Sequence, residues 1–285
     1  MQKLKKIILR TLAVLAGLYV LLCVGLYFFQ EKLIFFPTKL EQNHVFHFEK
    51  EFEEITVPTK DNLSLHGILF YSQNTDLVKN KSKKKLVFYL HGNVGQVQFW
   101  GDLADVYTER GYDLFILDYR GYGKSEGKIY SQEQFFNDVQ TAYDFIRKEK
   151  NYEEENIIVV GYSVGTASAA MLASRNSPKA LILQAPYFSL TDMTTRRFPF
   201  VPTFLLKYEF NTAEFLAKNK VPTTVFHGTT DRVIPYESSL MIKEYLYENS
   251  LDGKVSGFEF VTLENQGHGG IHHNPVFLKK LNEIL

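Results

Sequence analysis

Short apolar runs alternate with helical segments along most of this chain, and this alternation limits the possible folds more than any other feature. The apolar runs have the length and composition of buried strands, and they occupy residues 86–90, 114–117, 157–160, 181–183, 224–226 and 258–263. The helical segments occupy residues 96–110, 132–150, 165–175, 213–219, 237–248 and 275–285. Strands that alternate with helices predict an α/β fold, with a mostly parallel sheet covered on both faces.

Two further strands precede this alternating region. Residues 49–57 and 64–71 have strand-like patterns and flank a turn, so they predict a hairpin and bring the sheet to eight strands. The next segment, residues 74–85, is polar and contains five lysines. It predicts a solvated loop, with contact to an anionic membrane surface as the alternative. The chain from residue 31 to 285 is therefore expected to form one domain.

The first thirty residues have a different character. They contain four basic residues between Lys3 and Arg10 and no acidic residue, and residues 11–29 carry no charge. As a helix these 19 residues would be roughly 28 Å long, close to the hydrocarbon thickness of a bilayer. Because the basic residues precede the apolar run, we expect a single-pass membrane helix with a cytoplasmic N-terminus and residues 31–285 outside the cytoplasm.

A cleaved signal peptide and a lipoprotein are the alternatives for this segment. The apolar run is longer than the usual core of a signal peptide, and no small-x-small cleavage site follows it. Cys23 invites a lipoprotein interpretation, but Leu22 before it is too large for that processing site. An uncleaved membrane anchor is therefore the hypothesis that the sequence favours.

The charges divide at the same place. The chain has 32 basic and 32 acidic residues, and the four basic residues of the first thirty leave 28 against 32, a net charge of −4, for the rest. Proteins that bind nucleic acid usually show a basic excess, so this composition argues against a nucleic-acid partner. The single cysteine excludes an intramolecular disulfide framework and a Cys-based zinc cluster.

A Gly-x-Ser-x-Gly pattern, Gly161 to Gly165, lies between a predicted strand and a predicted helix rich in small residues. The pattern is typical of a turn so sharp that the residues two before and two after the serine face each other with no room for a Cβ. Ser163 would then project above the sheet at a helix N-terminus, where the backbone dipole favours negative charge. This position predicts a nucleophilic serine, and the alternative is a tight turn that carries an ordinary surface serine.

A glycine-rich segment, His91-Gly92-Asn93-Val94-Gly95, follows the predicted strand at residues 86–90. A free backbone N–H in this place is what an oxyanion hole needs as its second donor, and the first donor is the N–H of the residue after the nucleophile, Val164. We assign the second donor to Asn93, with Val94 as the alternative. His91 is interpreted as a structural residue of the strand end.

Asp231 and His268 each lie five residues past the end of a predicted strand. A serine hydroxyl is a poor nucleophile at neutral pH. It needs a base that titrates there, and the base needs a carboxylate that fixes its tautomer. The chain supplies these groups at strand ends in the order Ser163, Asp231, His268.

Other residues nearby are alternatives for the base and for the carboxylate. His272 and His273 are close in sequence, but they lie further on, toward the last helix. Asp192 and Glu237 are the alternative carboxylates, and Glu237 lies at the start of a predicted helix. We retain the first assignments because both residues are placed jointly at strand ends.

The longest interruption of the pattern, residues 187–222, predicts a small cap above the carboxyl ends of the strands. Its large apolar side chains are Phe188, Phe198, Phe200, Phe204, Leu205, Leu206, Tyr208, Phe210 and Phe215. They indicate either an apolar lid that admits acyl chains from a nearby bilayer or helices that pack on the core. Arg196 and Arg197 are expected to meet an anionic headgroup or to lie on a solvated face.

Taken together, these motifs resemble the α/β-hydrolase superfamily over residues 49–285. They are HGNVG at 91–95, DYRGYGKSEG at 118–127, GYSVG at 161–165, HGTTDRVIP at 227–235 and GHGG at 267–270. Within the superfamily the chain resembles the Bem46-like, ABHD-type serine hydrolases. Segment 30–37, just after the N-terminal apolar helix, also fits that group.

The resemblance implies a triad of Ser163, Asp231 and His268 and the hydrolysis of an ester, thioester or amide. The expected substrate is a small-molecule or lipid-like acyl compound, and no metal or organic cofactor is implied. Residues 118–120 are expected to fix their loop rather than to take part in catalysis. A serine peptidase of the same fold and a non-catalytic interaction domain are the alternatives.

Overall fold

The computed structural model describes residues 1–72, 84–249 and 257–285, so most of the predicted polar loop at 74–85 lies outside the described residues. The strands are β1 (Phe36–Pro37), β2 (Phe52–Pro58), β3 (Ser64–Phe70), β4 (Leu86–Leu90), β5 (Val94–Gly95), β6 (Asp113–Asp118), β7 (Ile157–Tyr162), β8 (Ala180–Gln184), β9 (Thr223–Gly228) and β10 (Phe258–Leu263). The helices are α1 (Gln2–Ile34), α2 (Val97–Trp100), α3 (Ala104–Thr108), α4 (Gln132–Glu149), α5 (Gly165–Arg175), α6 (Leu190–Arg197), α7 (Thr212–Lys218), α8 (Tyr236–Glu248) and α9 (Pro275–Ile284).

Eight of these strands form one sheet in the order β10-β9-β8-β7-β4-β6-β3-β2. The five pairings from β10 to β6 are parallel, and β3 is antiparallel to both β6 and β2. The predicted eight-stranded, mostly parallel sheet and the predicted hairpin are therefore confirmed. The short strands β1 and β5 form a separate parallel pair.

Side chains of the sheet alternate between two hydrophobic cores, one on each face. In β4, Leu86, Phe88 and Leu90 enter one core, while Val87 and Tyr89 enter the other. Residues of α4, α5, α7 and α8 complete the first core, and residues of α2, α3 and α9 complete the second. Because such strands are buried on both faces, they appear in the sequence as continuous apolar runs.

The predicted single helix over residues 96–110 is wrong. The segment is divided into α2, a 3₁₀ turn at Gly101–Leu103 and α3. A Cβ at position 101 would collide with the ring of Phe48, which packs directly against the glycine backbone. Glycine in a helix interior also costs roughly 1 kcal/mol relative to alanine, so both packing and propensity favour the break here.

Helix α1 continues four residues past the predicted boundary at residue 30. By its length and apolar composition it can cross a membrane, a property that it shares with signal sequences. Near its end, Gln30 Nε2 donates to the carbonyl oxygen of Leu205 at 3.1 Å, and Gln30 Oε1 accepts from the backbone N–H of Lys207 at 2.8 Å. The helix is therefore bonded to the cap before the chain reaches the sheet.

The cap contains α6, a 3₁₀ turn at Thr203–Leu205 and α7. Its aromatic side chains follow both of the expected arrangements, since some pack on the core and others are exposed. Tyr208 and Phe210 are buried in the first core, whereas Phe198, Phe200 and Phe204 have exposed fractions of 47%, 55% and 84%. One part of the cap packs on the sheet, and the other part presents aromatic rings outward.

Buried charges fix the loop that follows β6, in the role expected of residues 118–120. The fully buried Asp118 accepts from the backbone N–H of Val97 at 2.9 Å. Arg120 donates to the two carboxylate oxygens of Asp138 at 2.6 and 2.8 Å and to those of Asp61 at 2.6 and 3.0 Å. These bonds tie the loop to α4 and to the hairpin turn.

Replacing Arg120 tests this role. Arg120→Met leaves the buried Asp138 carboxylate without its guanidinium partner, so we expect the protein to lose about 3 kcal/mol of stability. The double variant Arg120→Met/Asp138→Leu should recover most of the loss. Arg147→Met is the matched control, because it breaks a more exposed pair with Glu154 and should cost under about 1 kcal/mol. Thermal unfolding of the full chain in detergent measures all three, and equal losses for Arg120→Met and Arg147→Met would contradict the assignment.

Candidate active site

A sharp turn between β7 and α5 carries Ser163. Its φ is +53°, in the left-handed region that residues other than glycine rarely adopt. A Cβ on Gly161 would collide with the side chain of Ala169 and the carbonyl oxygen of Gly165. A Cβ on Gly165 would collide with the carbonyl oxygen of Leu90 on the neighbouring strand. The glycines are needed for the reason that the sequence pattern predicts, and they hold the serine above the sheet.

The structure brings Ser163, His268 and Asp231 together at the carboxyl ends of β7, β10 and β9. His268 Nε2 lies 3.1 Å from Ser163 Oγ, and His268 Nδ1 lies 2.7 Å from Asp231 Oδ2. An ionised carboxylate only accepts hydrogen bonds, so Nδ1 carries the proton of a neutral imidazole and Nε2 accepts from the serine hydroxyl. The arrangement can therefore draw a proton from Ser163.

The residues considered as alternatives for the base and the carboxylate are not hydrogen-bonded to Ser163 in the described part of the structure. Asp192 accepts from Arg196 at 2.9 Å within α6. The rings of His272 and His273 face each other, with 4.0 Å between their centroids. Glu237 lies in the first turn of α8. Within the described residues, none of the four has a hydrogen bond to Ser163.

Asp231 is held by more groups than the base alone. Its Oδ1 accepts from the backbone N–H groups of Val233 and Ile234 at 2.8 and 2.9 Å, and its Oδ2 lies 3.2 Å from His227 Nε2. Burial by itself raises the pKa of Asp231, but the hydrogen bonds from His227 and His268 outweigh this effect and hold the pKa well below its usual range. The carboxylate therefore stays ionised at neutral pH.

His227 is a contributor that the sequence analysis missed. It is fully buried on β9, and Nε2 lies within hydrogen-bonding distance of both Asp231 Oδ2 and the carbonyl oxygen of Ile234. Since both neighbours are acceptors, Nε2 carries a proton. The only signal in the sequence was a histidine directly after the predicted strand at residues 224–226, four residues before Asp231.

The loop that carries His268 is fixed by the neighbour of the serine. Tyr162 Oη donates to the backbone carbonyl oxygen of His268 at 3.0 Å, and the two rings lie 5.2 Å apart. Tyr162 belongs to β7, so the strand that positions Ser163 also positions the loop of the base. This contact fixes the position of His268 relative to Ser163.

The two predicted N–H donors, of Val164 and Asn93, border the same cavity as Ser163. Within the described residues neither backbone N–H has a hydrogen-bond partner. The Asn93 side chain donates to the carbonyl oxygen of Ile34 at 2.9 Å, and the backbone carbonyl oxygen of Asn93 accepts from Tyr122 Oη at 2.8 Å. The end of α1 and the loop after β6 thus fix this residue.

Val94 and His91 have different surroundings. Val94, the alternative donor, lies on β5 with an exposed side chain. His91 is fully buried, and its ring stacks on Trp100 and packs against Tyr119. Its Nδ1 lies 2.6 Å from the carbonyl oxygen of Gly92. These contacts agree with the structural role expected of His91.

A cavity of about 560 Å³ opens above Ser163. Its lining is mostly apolar and includes Leu22, Leu26, Leu33, Leu190, Met193, Phe198, Phe200, Val201, Leu205, Leu206 and Tyr208. The volume is within the range of about 300 to 1,000 Å³ that holds small organic ligands. The site therefore places Ser163 at the base of a mostly apolar chamber.

The chain is similar to several known proteins in sequence and in fold. A family model described as serine aminopeptidase, S33, matches residues 81–214. Protein bem46 of Schizosaccharomyces pombe is 26% identical over 228 residues, which are 75% of this chain and 74% of that protein. The α/β-hydrolase domain-containing protein aho-3 of Caenorhabditis elegans is 29% identical over 203 residues, 70% of this chain and 57% of that protein.

The chain is similar to Bem46-like α/β hydrolases in sequence and has the α/β-hydrolase fold. The structure of the Pyrococcus furiosus esterase Pf2001 supports the fold, with a TM-score of 0.66 over 88% of this chain and 96% of the esterase. Its sequence identity is 17%, so this likeness bears on the fold alone.

The lowered pKa of Asp231 gives a pH-dependent contribution to stability. The ionised carboxylate stabilises the folded chain above about pH 3.9, the ordinary aspartate pKa, and the contribution is lost as the pH falls further. We expect the melting temperatures of wild type and Asp231→Asn to differ by a constant amount above about pH 5 and to converge below about pH 4.

Asp192→Asn is the control for this measurement. Asp192 pairs with the exposed side chain of Arg196, and a surface pair contributes under about 1 kcal/mol, so its effect should be small at every pH. A difference for Asp231→Asn that persists unchanged into strong acid would contradict the stabilising role of the carboxylate.

Proposed function

We propose that this chain is a membrane-anchored serine hydrolase that cleaves acyl esters or thioesters through an acyl-enzyme. The observation that carries the proposal is the chain of hydrogen bonds from Ser163 through His268 to Asp231 at the base of an apolar cavity. These groups supply a nucleophile, a base and an orienting carboxylate. The fold hosts many reactions, so the proposal rests on the site rather than on the fold.

In the proposed reaction, Ser163 Oγ forms a bond to the carbonyl carbon of the substrate. His268 Nε2 takes the hydroxyl proton, and the Asp231 carboxylate stabilises the resulting imidazolium. The bond between the carbonyl carbon and the leaving oxygen or sulfur then breaks, and His268 returns its proton to the leaving group. Water repeats these steps on the acyl-enzyme, releases the carboxylic acid and restores Ser163.

The negative charge that develops on the carbonyl oxygen needs donors. The proposed donors are the backbone N–H groups of Val164 and Asn93, because both residues border the cavity beside Ser163. Each such donor contributes about 3 kcal/mol to the stabilisation of the transition state. Val164 also stands at the N-terminus of α5, where the helix dipole favours negative charge.

Helix α1 is the proposed anchor. Four of its basic residues precede the uncharged run at 11–29, whereas Lys32 alone follows it, beside the acidic Glu31. This excess on the N-terminal side favours a cytoplasmic N-terminus and an extracytoplasmic catalytic domain. The polar contacts of Gln30 with Leu205 and Lys207 lie just after that run. The hydrolase domain would therefore be held directly against the membrane surface.

A peptidase or amidase is the second candidate, because the matching family model is described as a serine aminopeptidase. An aminopeptidase has to hold the α-ammonium group of its substrate, and a carboxylate near the serine is the strong partner for that group. Among the described residues that line the cavity, none is acidic and Arg197 is cationic. The lining therefore favours an acyl ester or thioester.

Labelling with a fluorophosphonate tests the nucleophile. We expect the wild-type chain to be labelled and Ser163→Ala to lose the label completely, because the hydroxyl is the group that reacts. Ser174→Ala is the matched control. Ser174 lies on helix α5, which follows Ser163, and its hydroxyl donates to the backbone carbonyl oxygen of Met171, so this variant should label like the wild type. Full labelling of Ser163→Ala would overturn the site assignment.

A matched substrate pair separates the two candidate functions. The p-nitrophenyl ester and the p-nitroanilide of the same acyl group differ only in the bond that is cleaved. The ester of this pair is intrinsically the more reactive, so the deciding substrate is an anilide with a free amino terminus. We expect kcat/KM for the acyl ester to exceed that for the aminoacyl anilide, since nothing acidic in the described lining recognises an amino terminus. A free aminoacyl anilide that is cleaved faster than the acyl ester would favour the peptidase.

A further inference from the structure

One wall of the cavity above Ser163 belongs to the helix that can cross a membrane. Leu22, Leu26, Gln30 and Leu33 of α1 line the cavity. Their spacings of three and four residues place them on one face of the helix. A helix that served only as a tether would have no side chains in the substrate cavity, so α1 has a second role.

Another part of the cavity lining is the cap tip, defined here as residues 198–205, of which Phe198, Phe200, Val201 and Leu205 line the cavity. Tyr19 Oη donates to the backbone carbonyl oxygen of Phe200 at 2.8 Å. Tyr19 lies ten residues before Phe29, the end of the uncharged run, which is about 15 Å along the helix axis. The bond therefore places the cap tip beside the part of α1 that would lie in the bilayer.

The cap tip has a surface suited to that environment. The rings of Phe198, Phe200 and Phe204 are substantially exposed, and contiguous exposed aromatic surface is unfavourable in water. Phe198 and Phe200 also line the cavity. The same short segment thus faces both the outside of the protein, at the level of α1, and the chamber above Ser163.

We propose that the cavity binds the acyl chain of a membrane lipid ester and that this chain enters from the bilayer between α1 and the cap tip. The inference rests on the proposed function, because it places the ester carbonyl of the lipid at Ser163. A lipid fits better than a soluble ester since the wall supplied by α1 is continuous with the surface that the helix presents to hydrocarbon. The leaving group is the lipid alcohol, and water releases the fatty acid.

Chain-length selectivity tests the proposal in the full-length chain, reconstituted in phosphatidylcholine vesicles. Leu22→Trp fills the α1 side of the cavity with a bulky ring. We expect the ratio of kcat/KM for p-nitrophenyl palmitate to kcat/KM for p-nitrophenyl butyrate to fall at least about tenfold, because each methylene excluded from an apolar site costs a factor of about four. Leu21→Trp is the matched control, since its neighbour Leu21 is exposed and does not line the cavity. It should keep the wild-type ratio.

Fluorophosphonate labelling of Ser163 in the same vesicles separates the possible failures. A wild-type chain that neither labels nor cleaves either ester would overturn the proposed function itself. If Leu22→Trp labels and cleaves esters with an unchanged ratio, the acyl-chain site is overturned while the hydrolase function stands. A similar fall of the ratio in Leu22→Trp and Leu21→Trp would also overturn the site, because it would show a general effect on the helix.

The route through the bilayer has its own measurement. Trp100 is the one tryptophan of the chain, so Trp100→Phe provides a background for single reporters. We expect Phe200→Trp to be quenched by lipids brominated on their acyl chains. Tyr247→Trp, at the far end of α8 from the site, should not be quenched. A Phe200→Trp signal that brominated chains leave unchanged would overturn entry from the bilayer.

Discussion

The left-handed backbone of Ser163 is the constraint on which the rest of the site depends. Because φ is positive at a residue with a side chain, the turn is strained and persists only where its surroundings enforce it. Gly161 and Gly165 remove the Cβ atoms that would otherwise meet the neighbouring helix and β4. The result is a hydroxyl raised above a rigid sheet, with the N-terminus of α5 directly beneath it.

The partners of the serine are mounted on equally rigid supports. Asp231 is fixed by two backbone N–H groups and by His227, which is buried in β9. Tyr162, the residue before the serine, bonds the loop that carries His268. The glycine-rich segment that carries His268 is therefore hydrogen-bonded both to Tyr162 of β7 and, through the His268 ring, to Asp231. This arrangement preorganises proton transfer rather than leaving it to loop motion.

The sheet and the placement of Asp231 and His268 follow from local signals: apolar runs of strand length, and polar residues at fixed distances after them. The contacts that refine the site were not predictable in this way. The helix break at Gly101 and the attachment of Gln30 to the cap depend on groups distant in the sequence. His227 is only four residues from Asp231, but their pairing depends on how the loop after β9 folds back. Periodicity cannot specify which distant backbone a buried side chain meets, nor whether an aromatic ring of the cap packs inward or faces outward.

Mass spectrometry of the acyl-enzyme shows whether a lipid acyl chain from the bilayer is transferred to Ser163. The full-length chain would be mixed in vesicles with a phospholipid that carries an isotope-labelled acyl group, quenched in acid and digested. We expect a labelled acyl group on the peptide that contains Ser163. A labelled adduct found only on Cys23, or none on a chain that still reacts with fluorophosphonate, would contradict it.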